Sequence, residues 1–207
     1  MVQTVTLPAG GTMGAGAGPA PAGALGVLRD EHAGTRAVLA QLERAAAALE
    51  RGAPVPVAVF RDIQEFLAVF LNRCHVGKEE AVLFPRLVGR GHDALLELLD
   101  AEHGEGQDLA AAYAAAVEAY AADEPATMRR LAAMARAYAA FLREHIARED
   151  ALLFPLVATA LTGADPALLA AFARLERDEV GPGRHERMHR LAGGLAARLD
   201  RCQAARS

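Results

Sequence analysis

Two stretches of this 207-residue chain pair a histidine with a glutamate four places on and then close on Leu-Phe-Pro. They are His75-x-x-x-Glu79 before Leu83-Phe84-Pro85 and His145-x-x-x-Glu149 before Leu153-Phe154-Pro155. A second pair keeps nearly the same offset, Glu31-His32 recurring as Glu102-His103. Imidazole nitrogen and carboxylate oxygen together suit divalent and trivalent first-row metal ions. On a helix, residues i and i+4 project from one face a turn apart, so each His-x-x-x-Glu aims two donors the same way. The duplication yields six candidate metal ligands: His32, His75, Glu79, His103, His145 and Glu149.

Positioning these six requires four helices. The seam Leu25, Leu28, His32, Thr35, Leu39, Leu42, Ala46, Leu49 marks the first, ended by Gly52 and Pro54. The second is expected from about Pro56 to Phe84, with an end or kink at Phe84 because a proline follows. Gly89 and Gly91 form the next turn, His92 lies in it as a solvated residue, and Asp93 is the expected N-cap. The third helix carries Leu96, Leu99, His103, Gly106, Ala110, Tyr113, Val117 and Tyr120. Asp123 is expected to cap the fourth, whose seam reads Met128, Leu131, Ala135, Tyr138, Leu142, His145, Glu149, Leu152. Tyr113 and Tyr138 read as core packing.

Four long amphipathic helices with short turns predict an all-α, antiparallel up-and-down four-helix bundle over residues 24–161. His32 and His75 lie about equally far from the turn near residue 53, roughly 32 Å at 1.5 Å per residue. His103 and His145 are matched in the same way about the turn near residue 124. All four imidazoles therefore meet at one level, where burial would be costly without a partner for their lone pairs. A pair of metal ions roughly 3.5–4 Å apart would supply it, each carboxylate spanning both ions and two histidines terminating each. Residues 162–207 add two shorter helices expected to pack on the bundle, one from Asp165-Pro166 to about Asp178 and one from about Arg184 to Gln203.

Composition narrows the function. The chain is 53% hydrophobic and 5% aromatic, and its net charge of -4 is spread along it, which argues against nucleic acid as a partner. Residues 1–23 are mostly Gly, Ala and Pro and read as a disordered tail without the features of a secretory signal. No stretch approaches the roughly 18 uncharged apolar residues of a membrane span. Cys74 and Cys202 form no framework and read as reduced thiols, so a soluble, cytoplasmic protein with no membrane partner is expected.

Ferritin-like carboxylate sites use Glu-x-x-His, an order that no bundle histidine shows here. The order His then Glu at four, twice, with lone histidines on the other two helices, resembles the hemerythrin-like HHE cation-binding family, bacterial type. The resemblance covers roughly residues 25–161. It implies a non-haem centre of two iron ions, oxo- or hydroxo-bridged, carried by His32, His75, Glu79, His103, His145 and Glu149. Oxygen-carrying hemerythrins add a histidine four places after the one on the third helix, where this chain has Gln107. They also take one carboxylate five places after its histidine, where this chain has Asp150; the repeat and the helix angle favour Glu149.

With four histidines both irons keep an open position, which resembles the relatives linked to peroxide, nitric oxide or iron-cluster repair. The function expected is binding of, or reaction with, a small oxidant (oxygen, nitric oxide or peroxide) in oxidative or nitrosative stress response or sensing. Whether the protein binds or turns over such a ligand, as a peroxide-decomposing or nitric-oxide-reducing enzyme would, stays open. Iron donation to damaged iron-sulfur clusters and iron storage are the alternatives.

Glu31 and Glu102, each preceding a ligand histidine, are candidates to orient imidazoles or move protons. His185-Glu186-Arg187-Met188-His189 matches the His-Glu-x-x-His of zinc peptidases. No histidine or glutamate follows it to complete a zinc site, and no strand is visible to hold a peptide. A similar run closes many bacterial hemerythrin-like proteins, so two readings stand for His185, Glu186 and His189: either His185 or His189 approaches the irons as a lid, proton relay or additional ligand, with Glu186 in the same outer layer, or the segment forms a hydrogen-bonded packing interface.

Overall fold

The computed structural model describes residues 23–121 and 125–204. The expected tail up to residue 22 and the expected cap Asp123 lie outside them. Among the described residues every element is helical, and the elements join into six helices. They are α1 (Gly23–Glu50), α2 (57–87), α3 (Asp93–Ala121), α4 (125–160), α5 (165–180) and α6 (Arg184–Ala204). Gly52, at φ +74°, closes α1: the Gly52 N–H donates to the Leu49 carbonyl and the Ala53 N–H to that of Ala48. None of these helices is long and apolar enough to cross a membrane.

Phe84 does not end the second helix. Wide π-type turns over Glu79–Leu83 in α2 and Glu149–Leu153 in α4 immediately precede the two Phe-Pro pairs. The Phe84 N–H reaches back five residues to the Glu79 carbonyl, and Phe154 does the same to Glu149. Proline lacks the donor that an i to i−4 ladder demands. Where the ladder has already widened that demand falls away, and both helices continue, to Leu87 and Ala160. The inserted residue also changes the phase of the helix, as π-bulges at functional sites do. Asp93 departs from expectation as well: its carboxylate accepts from the Gly89 N–H at 2.8 Å, closing the turn before α3 instead of capping the helix. His92 is exposed in that turn.

Helix α1 packs along α4, α4 along α3, α3 along α2, and α2 along α1. Their apolar side chains form two separate clusters. One holds Leu39, Leu42, Phe60, Ile63, Tyr113, Val117, Leu131 and Tyr138. The other holds Leu28, Leu83, Leu87, Leu96, Leu99, Leu153 and Val157. On each of the four helices the candidate metal ligands fall between the segments that feed the two clusters, so a polar layer lies between apolar ones. Burial on both sides is the main stabilising term for that layer's position.

Helices α5 and α6 both lie against α1 and α2. Leu168, Ala171 and Phe172 of α5 join the smaller cluster, and Met188, Leu195 and Leu199 of α6 the larger. Leu175 of α5 packs over Gly77, where a Cβ would stand at contact distance, 3.4 Å from Leu175 Cδ1.

Candidate metal centre

All four histidines of the polar layer are buried and turn Nε2 toward one another. His32 Nε2 and His75 Nε2 are 2.9 Å apart. Glu79 and Glu149, both fully buried, lie among them. Glu149 Oε2 is 3.1 Å from His32 Nε2 and 3.9 Å from His75 Nε2, while its Oε1 is 2.9 Å from His145 Nε2 and 3.5 Å from His103 Nε2. Glu79 divides likewise, Oε1 at 3.5 Å from His75 Nε2 and Oε2 at 3.4 Å from His103 Nε2. The six donors form two sets, His32/His75 and His103/His145, with one oxygen of each carboxylate turned to each set. His32, His75, Glu79 and Glu149 come close enough to hold one cation, and His103, His145 and Glu149 close enough to hold another.

The outer ring nitrogens are equally ordered. Each Nδ1 meets a carboxylate: His32 with Asp150 at 2.8 Å, His75 with Glu31 at 2.9 Å, His103 with Glu80 at 2.8 Å and His145 with Glu102 at 2.9 Å. A carboxylate on Nδ1 keeps the proton there, fixes the ring and leaves the Nε2 lone pair facing inward, as metal-ligating histidines require. Glu31 and Glu102 thus serve the histidine of the neighbouring helix, not the one beside them in sequence. Glu80 was not foreseen. The repeat carried the signal, since Glu80 stands where Asp150 stands in the second copy. Asp150 faces outward onto His32 and an ion pair with Arg36, away from the shared interior of the site.

Because these partners repeat, Glu80→Ala and Asp150→Ala are expected to weaken metal binding by similar factors, each about 10–100-fold. Competition with a chelator measures both. A much larger loss for Asp150→Ala, with an ion missing, would make Asp150 a ligand and overturn the outer assignment.

Aromatic rings hold the imidazoles from the remaining side. Phe154 stacks on His32 at 4.8 Å and Phe84 on His103 at 5.8 Å, with interplanar angles of 16° and 2°. Each Leu-Phe-Pro segment therefore places its phenylalanine against a lone histidine of another helix. Gln107 is exposed, so α3 contributes only His103. Tyr113 and Tyr138 are buried with rings 5.8 Å apart, and Tyr113 donates to the Phe60 carbonyl at 3.2 Å.

The residues fit a cation on a structural observation. Both oxygens of Glu79 and Glu149 and the Nε2 atoms of His103 and His145 are buried without a hydrogen-bond partner. Orphaned buried acceptors are costly, and two carboxylates among them make the site seek positive charge. Burial alone would lower the imidazole of His103, yet its interactions with Glu149 and Glu79 raise it to about 10. Burial likewise opposes the ionised form of Glu149, but the histidines around it hold its carboxyl well below the usual range.

On the outer side of His75, Lys78 is completely buried. Its ammonium pairs with Glu31, lies 2.6 Å from Glu176 Oε1 of α5, and donates to Cys74 Sγ at 3.2 Å. Burial resists the charge on Glu31, and contacts with His75 and Lys78 prevail, bringing its carboxyl down to about 2. Burial and the Glu31 charge push the Cys74 thiol up to about 12, which leaves it protonated and unreactive. Lys78→Met should destabilise the protein by about 3–5 kcal/mol, because Glu31 is left charged and buried. Denaturant unfolding measures this. Adding Glu31→Gln to the same chain should recover much of the loss, and no recovery would dismiss the pair as the cause.

The C-terminal motif lies against the outer side of α2, as a packing interface would. His185 Nδ1 lies 3.6 Å from Cys74 Sγ and 3.8 Å from Glu176 Oε1, and its ring packs on Phe70. His189 and Glu186 are exposed. None of the three joins either group of inward donors. The Gly181-Pro182-Gly183 turn starts α6 on the outer face of α2, so His185 arrives behind His75 and not beside its Nε2. Among the described residues, no cluster of three or more metal-ligating side chains includes His189.

Neither the curated proteins nor the solved structures contain a significant match to the chain. The family model of the hemerythrin HHE cation-binding domain matches residues 24–157, the span that holds all six inward donors and the four carboxylates behind them. The chain belongs to the hemerythrin HHE cation-binding domain family, whose domains bind iron.

Proposed function

We propose that this protein holds two iron ions. His32 and His75 would hold one, His103 and His145 the other, with Glu79 and Glu149 shared between them. So loaded, the protein would bind or react with a small oxidant, oxygen, nitric oxide or peroxide, in oxidative or nitrosative stress. The observation that carries the reading is the division of the two orphaned carboxylates, whose oxygens face one histidine pair each. The same reading takes α1 to α4 as one antiparallel up-and-down bundle with α5 and α6 laid across α1 and α2. The neighbour contacts and the common level of the four histidines support it.

When bound, the irons supply a redox-active Lewis acid for a small oxidant. The chain's own residues prepare the place. Glu31, Glu80, Glu102 and Asp150 hold protons at Nδ1 of the four imidazoles, so that neutral Nε2 lone pairs point inward. Phe84 and Phe154 cover two of the rings and limit water around the carboxylates. Arg36 and Arg148 pair with Asp150 and Glu102, balancing the outer charge.

Metal analysis joined to an optical spectrum tests the reading, with about two irons per chain and the absorption of a coupled pair expected. The loaded protein is then offered peroxide and nitric oxide. Many turnovers support an enzyme, and a stable adduct without turnover supports a carrier or sensor. Absence of both, with iron passed instead to an apo-cluster acceptor, would overturn the oxidant reading.

A further inference from the structure

The His185/His189 pair is not absorbed by the centre described above. The two residues stand four apart near the start of α6, and their Nε2 atoms are 2.9 Å from each other. That is the separation of His32 Nε2 and His75 Nε2 in the interior. Phe70 backs both rings at 5.1 Å, fixing their orientation from below. On the inner side, His185 Nδ1 lies 3.6 Å from Cys74 Sγ and 3.8 Å from Glu176 Oε1, which leaves Nε2 turned toward His189. His189 is held below the usual imidazole range, by burial first and then by His185.

We infer that His185 and His189 form a second metal site on the outer face of α2, separate from the iron centre, for one divalent first-row ion of tetragonal preference such as Cu(II) or Ni(II). Geometry selects that class. With each nitrogen about 2.1 Å from the ion, nitrogens 2.9 Å apart subtend an angle of about 90° at it. Square-planar and octahedral ions take that cis angle, whereas a tetrahedral zinc ion would hold the nitrogens roughly 3.4 Å apart. Solvent supplies the remaining positions, since the pair faces outward and His189 is exposed. Two imidazoles preset on one helix act as a chelate, the second binding as an intramolecular ligand. Arg187, which would oppose a cation, is drawn aside by Glu65 at 2.9 Å.

A simple imidazole-to-imidazole hydrogen bond would give the same spacing, and the test separates the two. The iron-loaded full chain is titrated with Cu(II), followed by calorimetry and electron paramagnetic resonance, alongside His189→Asn, His185→Asn and a His92→Asn control. The site predicts about one further ion per chain with equatorial coupling to two imidazole nitrogens, and binding about tenfold weaker or worse in either pair variant. Iron content should stay unchanged in every variant, and His92→Asn should bind Cu(II) as the parent does. His189 is exposed, so His189→Asn carries the test even if His185→Asn disturbs the packing on Phe70. Unchanged Cu(II) affinity in His189→Asn, or coupling to fewer than two imidazoles in the parent, would leave a hydrogen bond only and overturn the site.

Discussion

Glu149→Ala is expected to lower both the metal content of the protein and the stability of its metal-free form. Glu149 is the one carboxylate within reach of all four histidines, Oε2 near His32 and His75 and Oε1 near His145 and His103. Removing it takes a shared ligand from both ions at once, so iron content should fall from about two per chain to one or less, with loss of the coupled spectrum. Glu79 contacts only His75 and His103 at 3.5 and 3.4 Å, so Glu79→Ala should retain more metal.

The metal-free proteins should rank the same way. Without a cation, the histidines around Glu149 hold its carboxyl well below the usual range, so its charged form stabilises the fold near pH 7 and that contribution is lost only as the pH falls below the ordinary carboxylate range. Removing it takes from His103 the carboxylate that does most to raise its imidazole, a loss of about 3–5 kcal/mol for a broken buried pair. Metal-free Glu149→Ala should therefore unfold at lower denaturant than the metal-free parent. Full iron content in Glu149→Ala would remove Glu149 from the ligand set. Higher metal-free stability would show that burying the carboxylate costs more than its contacts with the histidines supply.

Chelation of the metal from the parent protein is the second large effect. An ion that binds only the folded state, at a thousand times its dissociation constant, stabilises by about 4 kcal/mol. For a chain of this size each kcal/mol moves the melting temperature by about 2–4 °C, so each ion removed should lower it by roughly 8–16 °C. Calorimetry before and after chelation, followed by iron return, gives the shift and its reversal. In Glu149→Ala the same treatment should change the melting temperature far less. A shift of a degree or two in the parent would mean that the polar layer is already satisfied without a cation, against the reading of its orphaned acceptors.

The six inward donors were legible because duplication and helix period are properties of one dimension. A repeat of His-x-x-x-Glu fixes which face carries both groups, and equal distances from the turns fix their level. His103 and Glu149 need no knowledge of neighbours to be assigned a direction. The carboxylates behind the rings were legible only in part. Glu31 and Glu102 stood out beside histidines, but each serves the histidine of another helix, and Glu80 became visible only as the partner of His103. Which outer carboxylate meets which Nδ1 depends on how far neighbouring helices are rotated and shifted against each other. Local spacing does not encode that rotation.

The prolines and the last helix show the same division. Pro85 read as an end or a kink, since a lone proline in a regular ladder is one; the wide turn before it changed the ladder, as the matching turn before Pro155 does in α4, and Phe84 and Phe154 pack on His103 and His32. His185 and His189 advertised metal chemistry by type and spacing. Their destination, on the outer face of α2 behind Cys74, was set by where α6 docks its apolar side chains. Residue types and their period thus determined the helices, the six donors and the level at which they meet, because those follow from backbone geometry within each segment. Only the tertiary structure decided which imidazole leans on which carboxylate, that Lys78 is buried against Glu31 and Glu176, and that the last histidine pair stands apart. Those outcomes rest on the packing of surfaces from distant parts of the chain.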